Sequence, residues 1–208
     1  MVKKIVSLKA WTLDRTWPFI LAIGGVIGLF ASLEITLDKI NLLANPKFVP
    51  NCDINPIISC GSVMNTPQAS VFGIMNSLIG VMAFAIVMTI GFTLLAGASY
   101  TKIKRWFWVA LQLGTIFGLG FVHWLIFQTI YRIGALCPYC MVVWSVMIPI
   151  FWYTTLYNLR SGVIATPKPL KGLVVFLQKH HGDVIVVWFL AILTMILTHF
   201  WYYWKTLI

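Results

Sequence analysis

No charged residue occurs between Ile54 and Thr101, a stretch longer than any globular core helix or strand requires. A bilayer is the solvent that tolerates it. Crossing the hydrocarbon takes about 20 apolar residues, and every backbone N–H and C=O must be bonded internally there, so helices are the natural answer. Five stretches qualify. They run from about Trp17 to Leu33, Val71 to Ala96, Arg105 to Arg132, Cys137 to Asn158, and Val184 to Trp204. Composition agrees: 60% of the 208 residues are apolar and 10% charged, against roughly 25% charged in a soluble domain. The mean hydropathy of +0.91 excludes a disordered or collagen-like chain.

The first stretch follows a basic leader over residues 1–16, holding Lys3, Lys4, Lys9 and Arg15. It could imitate a signal peptide, but it has no A-x-A-like cleavage site, and its Gly24 and Gly28 form a GxxxG pair suited to helix packing. Gly114 and Gly118 repeat the pattern in the third. Two connections are not spans. Residues 37–69 carry the breakers Asn45-Pro46, Pro50-Asn51, Asn55-Pro56 and Thr66-Pro67, and read as a long outer loop. Residues 159–183 form a connection with an apolar patch, Leu173 to Leu177, suited to the membrane surface.

Orientation follows from Lys and Arg. The leader, the connection with Lys102, Lys104 and Arg105, and the connection with Arg160, Lys168, Lys171 and Lys179 hold eleven of the fifteen; Lys39, Lys47, Arg132 and Lys205 fall on the other side. The N-terminus is therefore expected in the cytoplasm and residues 184–208 are expected to end outside. The net charge of +10, which in a soluble protein would suggest nucleic acid, is accounted for by this asymmetry. No nucleic-acid partner is expected.

This orientation puts all four cysteines on the outer face, where disulfides persist. Cys52 and Cys60 sit in the loop; Cys137 and Cys140 open the fourth span. Cys137-Pro138-Tyr139-Cys140 sets two sulfurs three residues apart on one helical face, within disulfide reach. Pro suits the first helical turn, and the helix N-terminus favours a thiolate, the species that attacks disulfides. A structural bridge here would close a very short loop and constrain the unfolded chain little. The spacing of Cys52 and Cys60 is wrong for zinc, no His lies near the four in sequence, and Met141 stands where haem attachment needs His. A relay of two dithiol pairs fits, with no metal site.

Cys52-Asp53-Ile54-Asn55-Pro56-Ile57-Ile58-Ser59-Cys60, then Ser70-Val71-Phe72-Gly73, then the Cys-Pro-Tyr-Cys helix start together resemble the vitamin K epoxide reductase family. The likeness covers Trp17 to Asn158 and is greatest to bacterial disulfide-forming members without a fused thioredoxin domain. It implies an all-α integral membrane fold: a four-helix bundle over 17–158 around a quinone, menaquinone or ubiquinone, capped by the loop with a short surface helix, plus the fifth helix of 184–208. It implies that Cys137 and Cys140 are the active pair, Cys140 nearest the quinone, and that Cys52 and Cys60 accept electrons from an extracytoplasmic thioredoxin-like protein of the DsbA type. Phe72 and Gly73 match the segment entering the second span beside the quinone.

The chain departs from the family in two places. Ala69 stands where some members have an Asn that bonds the quinone carbonyl, and Trp144 where some animal members have a Tyr. Gln68 and Asn76 are nearby amides suited to the carbonyl role or to capping. His123, within the third span, is a further candidate for touching quinone, as polar groups in spans often mark function; Gln112, Glu34 and His199 are weaker ones. The implied activity is a membrane thiol-disulfide oxidoreductase of the inner or plasma membrane, with lipid as its other partner. The rival readings are a quinone-epoxide reductase driven by thiols and a non-enzymatic membrane subunit with structural disulfides.

Overall fold

The computed structural model describes residues 2–98, 100, 103–165 and 171–205, with side chains from Arg15 onward. Helices dominate: α1 (Val2–Ala44), α2 (Cys60–Met64), a 3-10 turn (Pro67–Ser70), α3 (Asn76–Leu95), α4 (Arg105–Gln128) prolonged by a π turn (Thr129–Ile133), α5 (Pro138–Arg160), α6 (Lys171–Lys179), α7 (His181–His199) and α8 (Trp201–Trp204). Among the described residues, five helices are long and apolar enough to cross a membrane, over Arg15–Ala44, Asn76–Leu95, Arg105–Ile133, Pro138–Arg160 and His181–His199. The protein is an integral membrane protein with an all-α fold.

Three boundaries differ from the sequence reading. The basic leader is helical and continuous with the first span, because α1 runs from Val2, while the span itself begins at Arg15. The loop expected from Leu37 starts after Ala44, where Asn45-Pro46 removes a backbone donor and crowds the preceding turn. The last span begins at His181 and breaks at Phe200, so the aromatic run Trp201–Trp204 forms its own turn. Lys102 and Lys168, used in the charge count, and residues 206–208 lie outside the described residues.

Helix α1 is the spine, with α3 and α5 packed against it and α4 packed against α5. Glycine sets the α1–α3 distance. A Cβ on Gly91 would stand 2.3 Å from the Ala22 backbone nitrogen, and one on Gly25 would stand 2.6 Å from the Met88 backbone. Such backbone approach is how membrane helices gain contact where the hydrophobic effect is absent. Of the second glycine pair, Gly118 abuts Met147 while Gly114 meets nothing. Helices α3 and α4 scarcely touch.

Away from the cysteines, the bundle is tied by polar side chains. Tyr100 OH donates to Asn158 Oδ1 (3.0 Å), Asn158 Nδ2 to Gln112 Oε1 (3.0 Å), and Gln112 Nε2 to Thr155 Oγ1 (2.9 Å). Trp17 Nε1 donates to Thr154 Oγ1 (3.2 Å), and its ring stacks on Tyr157 at 4.1 Å. Asn158 and Thr154 are fully buried, so these bonds satisfy groups that would otherwise be costly in hydrocarbon.

Candidate active site

The four cysteines meet at one end of the bundle because two short segments pair there. Asn55 Oδ1 accepts from the N–H groups of Ile57 (3.0 Å) and Ile58 (2.7 Å), turning the loop after Asn55-Pro56. The turned segment lies beside the residues before α5: Leu136 N–H donates to Ile57 O (2.6 Å), and Ser59 N–H to Leu136 O (3.0 Å). Cys60 follows one strand of this parallel bridge and Cys137 follows the other, which brings their Sγ atoms to 3.3 Å. Ser59 caps α2 by accepting from Ser62 N–H (3.0 Å), and Asp53 Oδ1 accepts from Gly61 N–H (2.9 Å), tying the far side of the loop to the same helix.

Cys52 and Cys60 are bridged; Cys137 and Cys140 are thiols. Cys137 caps α5, Pro138 holds the first helical position, and Cys140 N–H points at Cys137 Sγ (3.4 Å). The hydrogen bond from the Cys140 thiol holds the Cys137 thiol below its ordinary range. Backbone donors at Cys140 and Tyr139 help, while burial and Asp38 oppose the shift. Thus Cys137 is the more acidic thiol of the pair, with a bridged sulfur in contact.

Cys140 faces the other way, into a cavity of about 510 Å³. On α5, Cys140, Val143, Trp144 and Met147 form one face and one wall of it. The opposite walls are α3 and α4, whose separation leaves the long apolar groove. Its lining on α3 runs from Asn76 to Ile90, about 21 Å at 1.5 Å per residue. Gly114 lines it too, so the glycine that packs no helix makes room here.

Of the polar candidates, Gln68 and Asn76 line this cavity and Phe72, Gly73 and His123 do not. Asn76 is largely spent on local structure, its Nδ2 donating to Gln68 O (2.7 Å) and its Oδ1 accepting from Val71 N–H (3.2 Å). Phe72 packs on Phe117 and Phe121 outside the cavity, and Gly73 takes the left-handed turn (φ 76°) that leads towards α3. His123 turns to the fifth span: its Nδ1 bonds Leu119 O and its Nε2 accepts from Trp188 Nε1 (2.9 Å), which uses both ring nitrogens. Gln112 belongs to the polar tie described above.

One group was missed from sequence. Lys39 is the charged side chain lining the cavity, and its Nζ donates to Asn65 Oδ1 (3.3 Å). The available signal was its place one helical turn beyond Ile35 and two beyond Ser32, both of which face the same space.

A thiol of lowered pKa touching a disulfide, with a second thiol facing an apolar groove open between helices, defines a membrane thiol oxidoreductase. The comparison with protein families gives the same class. Residues 19–155 match the model of the vitamin K epoxide reductase family, and the chain belongs to that family. No curated protein matches it significantly.

Proposed function

We propose that the protein oxidises the dithiol of an extracytoplasmic thioredoxin-like partner and passes the two electrons to membrane quinone, supporting disulfide formation outside the cytoplasm. Residues 17–158 are the catalytic unit in this reading, with the N-terminus cytoplasmic and the cysteines on the outer face. The observation that carries it is the 3.3 Å approach of Cys137 Sγ to Cys60 Sγ, with Cys140 in the cavity wall behind.

The exchanges follow from the order of the sulfurs. The partner's thiolate attacks Cys52, the Cys52–Cys60 bond breaks, and Cys60 leaves as thiolate. A second partner thiolate then attacks the partner's own sulfur in the mixed disulfide, freeing Cys52 and the oxidised partner. Cys60 attacks Cys137 of a Cys137–Cys140 bridge and releases Cys140; Cys52 closes on Cys60 and releases Cys137. The bridged loop and the thiol pair correspond to the end of this exchange. Cys52 is 6% exposed and Cys60 not at all, which favours Cys52 as the point of entry.

The cavity suits a quinone on its own terms, being apolar along the groove with polar groups gathered near Cys140. Cys140 and Trp144 would flank the ring, with Gln68 and Lys39 as donors to its oxygens. Bound there, the quinone supplies an acceptor for two electrons and two protons, and the chain restores the Cys137–Cys140 bridge. Turnover of reduced thioredoxin with a short-chain quinone tests the reading. Cys140→Ser should abolish quinone reduction while Cys137 still traps Cys60 as a disulfide; turnover by this variant would overturn it.

A further inference from the structure

Exposed apolar side chains on the spanning helices face lipid and need no other explanation. Val49 and Ile54 do. They are 67% and 69% exposed, yet they lie past Ala44, outside every candidate span, among Asn45, Lys47, Asn51, Asp53 and Asn55. They flank Cys52. The turn closed by Asp53 N–H on Pro50 O (3.0 Å) directs Pro50 and Cys52 inward and leaves Val49, Asn51 and Ile54 outward, with Pro56 exposed beyond.

We infer that Val49 and Ile54 form the docking surface for the partner protein, gripping the apolar surround of its exposed dithiol on either side of Cys52. The inference rests on the proposed function and names the surface that function uses. A nearly buried disulfide gives an approaching protein almost no contact of its own. Apolar anchors beside it supply that contact, since water leaves both surfaces when they meet. A small dithiol needs no such anchors.

The experiment compares two reductants on the full chain in lipid nanodiscs with a short-chain quinone. Val49→Ser/Ile54→Ser should lower kcat/KM for reduced thioredoxin about tenfold, the effect of losing roughly half of the two side chains' burial. Oxidation of dithiothreitol should stay unchanged. Equal rates with thioredoxin in variant and parent overturn the docking surface alone, as does a matching loss with dithiothreitol, which would mark a damaged loop. A parent chain that oxidises dithiothreitol but not thioredoxin overturns the partner assignment together with this inference. Insertion of the loop into lipid is the competing explanation. A fluorescent amino acid at position 54 should be quenched by aqueous iodide; quenching by nitroxide-bearing lipid chains instead overturns the inference.

Discussion

Cys137 caps a helix, accepts a hydrogen bond from Cys140 and touches Cys60, so its charge state governs the internal exchange. Its lowered pKa means that thiolate persists further into acid than for an ordinary cysteine, which makes Cys137 the better leaving group when Cys52 closes on Cys60. In Cys52→Ser/Cys60→Ser, thiolate ultraviolet absorbance should titrate below the ordinary cysteine range. Adding Cys140→Ala removes the largest stabilising hydrogen bond and leaves the opposing burial, so the midpoint should move up; an unchanged midpoint would remove Cys140 from that role. The reactive sulfurs were legible in sequence because Cys, Pro and a helix start announce themselves locally. Lys39 was not, because the chain from Leu37 reads as loop and its helical spacing from Ile35 was lost with that; His123 was not, because a spanning helix is apolar on every side and gives no sign of which face meets a cavity. His123 spends its ring on Trp188, a residue 65 positions away that no local pattern connects with it.

Helix boundaries were less legible than helix existence. The first span was read at the length a bilayer requires, but a helix ends where backbone bonding fails, and nothing before Asn45-Pro46 stops α1. Glycine pairs were similarly ambiguous, since GxxxG describes a smooth face and not what lies against it. The two uses separate by mutation. Gly91→Val drives methyl groups into the α1 backbone and should cost at least about 1–3 kcal/mol, seen as a lower unfolding temperature in detergent. Gly114→Leu meets open space, so it should leave that temperature unchanged and weaken binding of short-chain quinone, read by quenching of tryptophan fluorescence. Loss of stability without loss of binding would mean that Gly114 serves packing after all.

For the molecule as a whole, the proposed orientation puts the cysteine end outside, and labelling tests it. After reduction of intact cells, an impermeant thiol reagent should label Cys52 from outside; labelling only from the cytoplasmic side of inverted vesicles would reverse the topology. The two ends of the bundle are held by different means. At the far end, Tyr100 lies in the connection between α3 and α4 and bonds to Asn158 of α5, while its ring stacks on Trp108 of α4 at 4.1 Å. Arg105 Nε adds a bond to Val163 O (3.0 Å) beyond α5. Towards the cysteines, the segment entering α3 meets α4 through rings alone, with Phe72 packed on Phe117 and Phe121. The far end is thus fastened by hydrogen bonds and a stacked ring, whereas the cysteine end is closed by apolar ring contacts. Parting a seam of rings breaks no hydrogen bond, so a bulky head group meets less resistance at the cysteine end than at the far one.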